Sequence, residues 1–172
     1  MSGTCGRHRA RGTVLVEVVL VTVLVGVVAS LAVGGVAAVT DRRLAGAARV
    51  LLADLRWASH QAGAARTCVR VTFDPVRDTY TLARYVGPVA VGAPHCTGGQ
   101  WTGPLLADAP DGAVSRRMPR GVDLLATTFP AQTLTFSPLG NPPAGTVVLR
   151  AVLGRERRIT VEVTGLVRLS RG

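Results

Sequence analysis

From Val18 to Thr40 the chain runs for 23 residues without a charge, nearly all of them apolar, and no second stretch so uniformly apolar occurs in its 172 residues. As a helix this run would reach about 35 Å at 1.5 Å per residue. A bilayer core is about 30 Å thick, so one span fits with some tilt. That argues against a multi-span membrane protein, and the rest of the chain reads as one folded domain of ordinary size. Three readings of the run compete. A secretory signal peptide would use Ser30-Leu31-Ala32 as small residues for cleavage, although the apolar stretch is longer than such peptides carry. An uncleaved single-span anchor is the second. The third turns on Glu17, a carboxylate at the head of the apolar run. An acid facing lipid is costly and has a partner or a task, and a plain anchor has no use for one.

Composition narrows the partners without choosing among them. Hydrophobic residues make up 48% and charged residues 17%, which excludes a disordered tail or a collagen-like fibre. All 20 basic residues are arginine and the formal net charge is +10. That balance suits nucleic acid, anionic lipid or an acidic partner. All-arginine usage beside abundant Ala, Val and Gly equally fits a GC-rich coding sequence. Residues 1–12 are short and polar, with Arg7, Arg9 and Arg11 and no acid, which predicts a cytoplasmic amino terminus. Asp41, Arg42 and Arg43 mark the far end of the run.

Gly12-Thr13-Val14-Leu15-Val16-Glu17, after a short basic leader and before an apolar helix, resembles the type IV prepilin signature. The resemblance implies cutting by a prepilin peptidase between Gly12 and Thr13, methylation of the new amino terminus, and a mature chain of residues 13–172. Glu17 becomes the fifth mature residue, where that family keeps a glutamate that meets the amino terminus of a neighbouring subunit. The physics agrees: cleavage creates an ammonium at the membrane, and a nearby carboxylate relieves the desolvation cost of both ions. Thr13 departs from the Phe or Met usual after the cut. If Cys5 leaves with the leader, Cys68 and Cys96 remain. Outside the cytosol an even pair most simply forms one disulfide, and two free buried thiols are the alternative.

Downstream, Leu44, Ala48, Leu51, Leu52, Leu55, Ala58 and Ala62 recur at spacings of three and four, one apolar stripe that ends near Gly63. A helix from Thr13 to about Ala65 is expected, roughly 80 Å long, softened at Gly34-Gly35. The period then changes to two. Cys68–Phe73 and Thr79–Tyr85 alternate around the turn Asp74–Asp78, a hairpin signal. Val86–Arg120 is rich in Gly and Pro and reads as a surface excursion with one or two short elements. Gln132–Ser137 reads as a strand before the turn cluster Pro138–Pro143, Thr146–Leu153 as a buried strand, Gly154–Arg157 as a turn. Arg158–Val163 places Ile159, Val161 and Val163 on one face, and Leu166–Ser170 continues beyond Gly165. The fold class is α+β: a long membrane-spanning amino-terminal helix packed on an antiparallel sheet head.

The amphipathic helix, the hairpin, the strand-turn Phe136-Ser137-Pro138-Leu139-Gly140 and the final strands with Arg and Gly resemble the GspH/FimT group of minor pseudopilins. This implies a leader over 1–12, a transmembrane and filament-core helix over 13–40, its amphipathic continuation over 41–65, and a β-rich head over 66–172. The chain would be a single-pass inner-membrane protein with a periplasmic head, entering a filament after cleavage. Implied partners are major and minor pseudopilins or pilins, the prepilin peptidase, the inner-membrane assembly platform, and exported proteins or DNA.

No catalytic machinery is legible. His8 lies in the leader, His60 on the helix, and His95-Cys96 are adjacent residues with no third orienting group. No phosphate loop, metal motif or cofactor site is expected; Gly98-Gly99 reads as a turn. Two functions then compete with the plain anchor. One is a tip-proximal minor pseudopilin of a type II secretion system, assisting export. The other is a FimT-like minor pilin of a type IV pilus that binds DNA for uptake, through Arg155, Arg157, Arg158 and Arg168. Arg150, Arg155, Arg157, Arg158, Arg168 and Arg171 outnumber Glu156 and Glu162 in this last third, and such binding would be salt-sensitive. DNA-binding members of the group carry Gly-Arg-x-Arg near the carboxyl end. Here Gly165-Leu166-Val167-Arg168 has Leu166 in place of the first arginine, and Gly154-Arg155-Glu156-Arg157 has the letters in an earlier turn.

Overall fold

The computed structural model describes residues 10–88, 96, 99–102, 114–139 and 141–171, with residues 10–14, 31–37, 102 and 114 described by backbone alone. The leader residues Cys5, Arg7, His8 and Arg9, and His95, Gly98 and Gly140, lie outside the described residues, as do the side chains of Arg11, Leu31 and Ala32. Helix α1 spans Ala10–Ala64, through Gly34-Gly35. The chain divides into two compact units, Met1–Val39 and Thr40–Gly172.

In the first unit the apolar side chains from Leu15 to Val28 are between 51% and 68% exposed. Such a helix is not paired with a core of its own. Two hydroxyls bond back to the helix itself: Thr22 donates to the Val18 carbonyl at 2.9 Å and Ser30 to the Val27 carbonyl at 2.7 Å. Among the described residues no helix is long and apolar enough to cross a membrane.

In the second unit α1 turns an apolar stripe inward. Leu44, Ala48, Leu51, Leu55, Ala58 and Ala62 are fully buried, and Ala47 nearly so. Leu52 is only partly buried, at the edge of the stripe. The alanines let the helix approach closely while the leucines fill the space behind it.

Two antiparallel sheets complete the head. In the first, β1 (Val69–Asp74) lies between β2 (Thr79–Val86) and β6 (Thr133–Phe136). Two short strands, β3 (Gln100–Thr102) and β4 (Val114–Arg117), pair with opposite halves of β2. In the second, β5 (Val122–Thr127), β7 (Gly145–Ala151), β8 (Glu156–Val161) and β9 (Val167–Arg171) lie in that order. Val71, Phe73, Leu134 and Phe136 from one sheet join Val147, Leu149, Ile159 and Val161 from the other in a single buried cluster with the helix stripe.

The β1–β2 hairpin forms where the period-two pattern places it. Asp74 closes its turn by accepting the amides of Val76 and Arg77 at 3.0 and 3.1 Å. Asp78, at φ 52°, accepts the amide of Leu124 at 3.0 Å, fastening this turn to the second sheet.

Three boundaries differ from expectation. The strand expected over Thr146–Leu153 stops at Ala151, and the turn expected over Gly154–Arg157 is Val152–Arg155. Gly154, at φ 79°, donates its amide to the Ala151 carbonyl and reverses the chain there. Val152 and Leu153 are therefore exposed at the hairpin tip, by 72% and 54%, while Glu156 and Arg157 belong to β8. Val163, expected on the face of Ile159 and Val161, lies beyond the end of β8 and is exposed.

A polar latch joins helix to sheet. The Tyr80 hydroxyl donates to Asp54, and Arg116 Nε reaches the same carboxylate at 3.0 Å. Burial and the Asp54 acceptor push the Tyr80 phenol well above its ordinary range. The folded phenol therefore stays protonated where the unfolded one ionises. Its contribution is complete below about pH 10 and is lost as pH rises further, by about 1.4 kcal/mol per unit. The chain is suited to this measurement, having two tyrosines and no lysine. Tyr80→Phe is expected to cost about 1.5–3 kcal/mol at neutral pH and to flatten the alkaline loss of stability. Urea unfolding at pH 8 and pH 11 checks both; an unchanged alkaline slope would refute the latch.

Candidate functional site

The second sheet distributes its arginines by strand parity. Opposite residues of an antiparallel pair share a face. On the outer face Arg150 stands between Asp123 and Glu156, Arg158 opposite Ser170, and Arg168 opposite Thr160. Arg158 pairs with Glu156 at 3.6 Å and Arg168 with Glu162 at 3.2 Å. Arg150, Arg158 and Arg168 there are matched in number by Asp123, Glu156 and Glu162, of which Glu156 also borders the cleft on the other side, so this face carries little cationic excess.

The other face differs. Arg157 follows the parity of buried Ile159 and Val161 and stands directly opposite Arg171. Arg157 reaches Asp41 Oδ1 of α1 at 3.5 Å, and Arg155, from the preceding turn, reaches Asp41 Oδ2 at 3.4 Å. These side chains, with Arg171, Glu156 and Gly154, line an open cleft of about 430 Å³. Of the four arginines singled out from sequence, the structure thus joins Arg155 with Arg157 and sets Arg158 and Arg168 on the opposite face. Asp41 had no place in the sequence-based site, and Arg171 was counted in the carboxyl-terminal arginine excess without being singled out. Their signal was three-dimensional: one ends the apolar run, and the other faces Arg157 across a strand pair. Arg56 donates to the Val167 carbonyl at 3.2 Å and holds the edge strand β9 to the helix.

The assembly candidates lie on α1. Glu17 is exposed amid exposed Leu15, Val16, Val18 and Leu20. Among the described residues none forms an ion pair with it. Gly12 and Thr13 are within the helix, but their side-chain surroundings lie outside the described residues.

Cys68, buried at the entry to β1, is bonded to Cys96 with the α-carbons 6.0 Å apart. Near this bridge the Arg70 guanidinium stacks over Trp101 at 3.7 Å, and burial pushes its pKa down. Tyr85 meets the same indole edge-on at 5.4 Å. A side chain at Gly99 would bring a Cβ within 2.5 Å of the Tyr85 ring, so glycine is required there. Among the described residues no cluster of His, Cys, Asp or Glu could hold a metal ion.

The chain matches the family model of the type II transport protein GspH over residues 47–165. No curated protein matches it in sequence. Among solved structures, the minor pseudopilin EpsH from the Type 2 Secretion System of Vibrio cholerae is similar, with TM-score 0.57 and 16% identity over 75% of this chain and 97% of that one. A crystal structure of the same EpsH gives 0.55 and 16%, over 78% and 97%. The type IV minor pilin FimU of Pseudomonas aeruginosa gives 0.48 and 15%, over 74% and 92%. At such identities the likeness concerns the fold.

Proposed function

Because the chain belongs to the family of the type II transport protein GspH, a family of structural subunits and not of enzymes, we propose that it is a tip-proximal minor pseudopilin of a type II secretion pseudopilus. Prepilin peptidase removes residues 1–12 on the cytoplasmic side and the new amino terminus at Thr13 is methylated. Residues 13–40 then hold the subunit in the inner membrane and later line the filament core. The head, residues 66–172, stands in the periplasm and meets other pseudopilins and exported proteins.

The observation that carries this reading is Glu17, five positions after Gly12 and exposed on an apolar helix surface. A lone carboxylate in that setting calls for a cation, and processing at Gly12 supplies one. The Cys68–Cys96 disulfide supports an oxidising compartment for the head.

A DNA-uptake subunit would present a continuous cationic stripe to phosphates. Here the arginines divide between two faces, and the outer ones meet acids. That division favours the secretion reading.

The test is the amino terminus of the membrane product when a prepilin peptidase is co-expressed. Mass spectrometry is expected to find N-methylated Thr13 as the first residue. Retention of residues 1–12, or a cut after Ala32, would refute the proposal.

A further inference from the structure

We propose that the cleft walled by Arg155, Arg157 and Arg171, with the exposed tip Val152-Leu153 beside it, seats the phosphate of an anionic phospholipid headgroup. The inference rests on the membrane-anchored subunit proposed above.

Charge in the cleft is unbalanced. Arg157 and Arg171 stand directly opposite on one face, an arrangement that repels unless an anion lies between them. Asp41 is shared by Arg155 and Arg157 at 3.4 and 3.5 Å, too long for good charge-assisted hydrogen bonds. Arg171 has no acidic partner among the described residues. Glu156, the other acid on the cleft wall, is drawn to Arg158 at 3.6 Å. The space of about 430 Å³ is of ligand size. Guanidinium pairs are suited to the oxygens of phosphate.

Position and apolarity choose a lipid over other phosphates. Asp41 is the first charged residue after the uncharged run, so the cleft is built at the point in the chain where a membrane anchor ends. Arg42 and Arg43 follow it, both exposed. The hairpin that carries Arg155 ends in Val152 and Leu153, 72% and 54% exposed with no role in the core. Two apolar side chains beside guanidiniums are what an interfacial contact uses: the tip enters the acyl boundary while the cations meet phosphates. A soluble phosphate or a nucleic-acid backbone would have no use for the tip. Headgroup binding would hold the head against the membrane until the subunit is drawn into a filament.

The test is native mass spectrometry of the full chain in neutral detergent, with phosphatidylglycerol and phosphatidylcholine offered at equal concentration. The wild type is expected to retain phosphatidylglycerol preferentially. Arg155→Gln with Arg171→Gln, both at exposed positions, is expected to reduce that preference roughly thirtyfold, two near-surface arginines' worth. Val152→Ser with Leu153→Ser is expected to weaken retention with the arginines intact. Equal retention of the two lipids would overturn the proposal, as would a preference unchanged in the double arginine variant, which would assign it to Arg42 and Arg43. Displacement of the lipid by equimolar inorganic phosphate would make this a free-ion site instead. Displacement by a duplex oligonucleotide would make it a nucleic-acid site. Carbonate extraction reads the anchor separately: a chain released from membranes refutes the pseudopilin reading, whereas a retained chain without headgroup preference refutes only the cleft.

Discussion

Glu17→Ala is expected to leave the chain in the membrane and to remove it from filaments. The two effects have opposite signs on one side chain, which makes the pair of measurements informative. A charge at the centre of a spanning helix costs about 2.5–3.5 kcal/mol for insertion, and one at the head of the apolar run, as Glu17 is, costs less in the same direction, so its removal favours the membrane. In an assembled filament the same carboxylate would answer the ammonium of a processed amino terminus. Removing one partner of a desolvated ion pair costs about 3–5 kcal/mol, because the other charge is left unanswered. The fraction in sheared filaments should therefore fall by about a hundredfold or more, while carbonate-resistant membrane protein stays level or rises. Glu17→Gln, which keeps the shape and loses the charge, should fail likewise. Filaments that still contain the Gln variant at wild-type level would locate the requirement in packing and end the electrostatic account.

The surroundings of Glu17 make the experiment clean. Leu15, Val16, Val18 and Leu20 are all more than half exposed, so no folded core depends on this turn of the helix. The head's buried stripe begins at Leu44. A loss of incorporation therefore cannot be attributed to an unfolded head.

Periodicity made the helix stripe and the strand pairs legible, because each buried face repeats at its own spacing. Leu44 to Ala62 at three and four, and Val69, Val71 and Phe73 at two, are buried where the pattern puts them. The pattern failed where one residue breaks step. β5 went unread because Leu124 and Leu125 are adjacent apolar residues; a bulge between Leu124 and Ala126 turns Leu125 outward, at 38% exposure. The strand expected to reach Leu153 was overrun because Val152 and Leu153 are apolar, yet Gly154 reverses the chain before they can be buried. Local hydrophobicity cannot report a turn of that kind. The site was half legible for a related reason. Arg155 and Arg157 are visible as a charge cluster, but their common partner Asp41 lies 116 positions from Arg157. Only the fold brings the middle of α1 and the hairpin together.

Breaking the Cys68–Cys96 bridge is expected to cost the head about 3.5 kcal/mol. The bond closes residues 28 apart in sequence, and a loop of that length removes about that much from the disorder of the unfolded chain. For a head of this size the midpoint of thermal unfolding should drop by about 10–15 °C. The structure says where the loss begins. β3 pairs with β2 through three residues only, Arg84 to Thr102, Tyr85 to Trp101 and Val86 to Gln100, too few to hold a strand alone. What keeps it in place is the bridge on one side and the Arg70–Trp101–Tyr85 stack on the other. Cys68→Ser with Cys96→Ser should therefore free the amides of Gln100–Thr102 first, with the β7–β8 ladder of the second sheet protected until global unfolding. Hydrogen exchange, with calorimetry of the full chain with and without reductant, separates the two. A midpoint unmoved by reductant would mean that strand pairing and the aromatic stack hold this segment without the covalent tie, and that the closed loop constrains little of the unfolded chain.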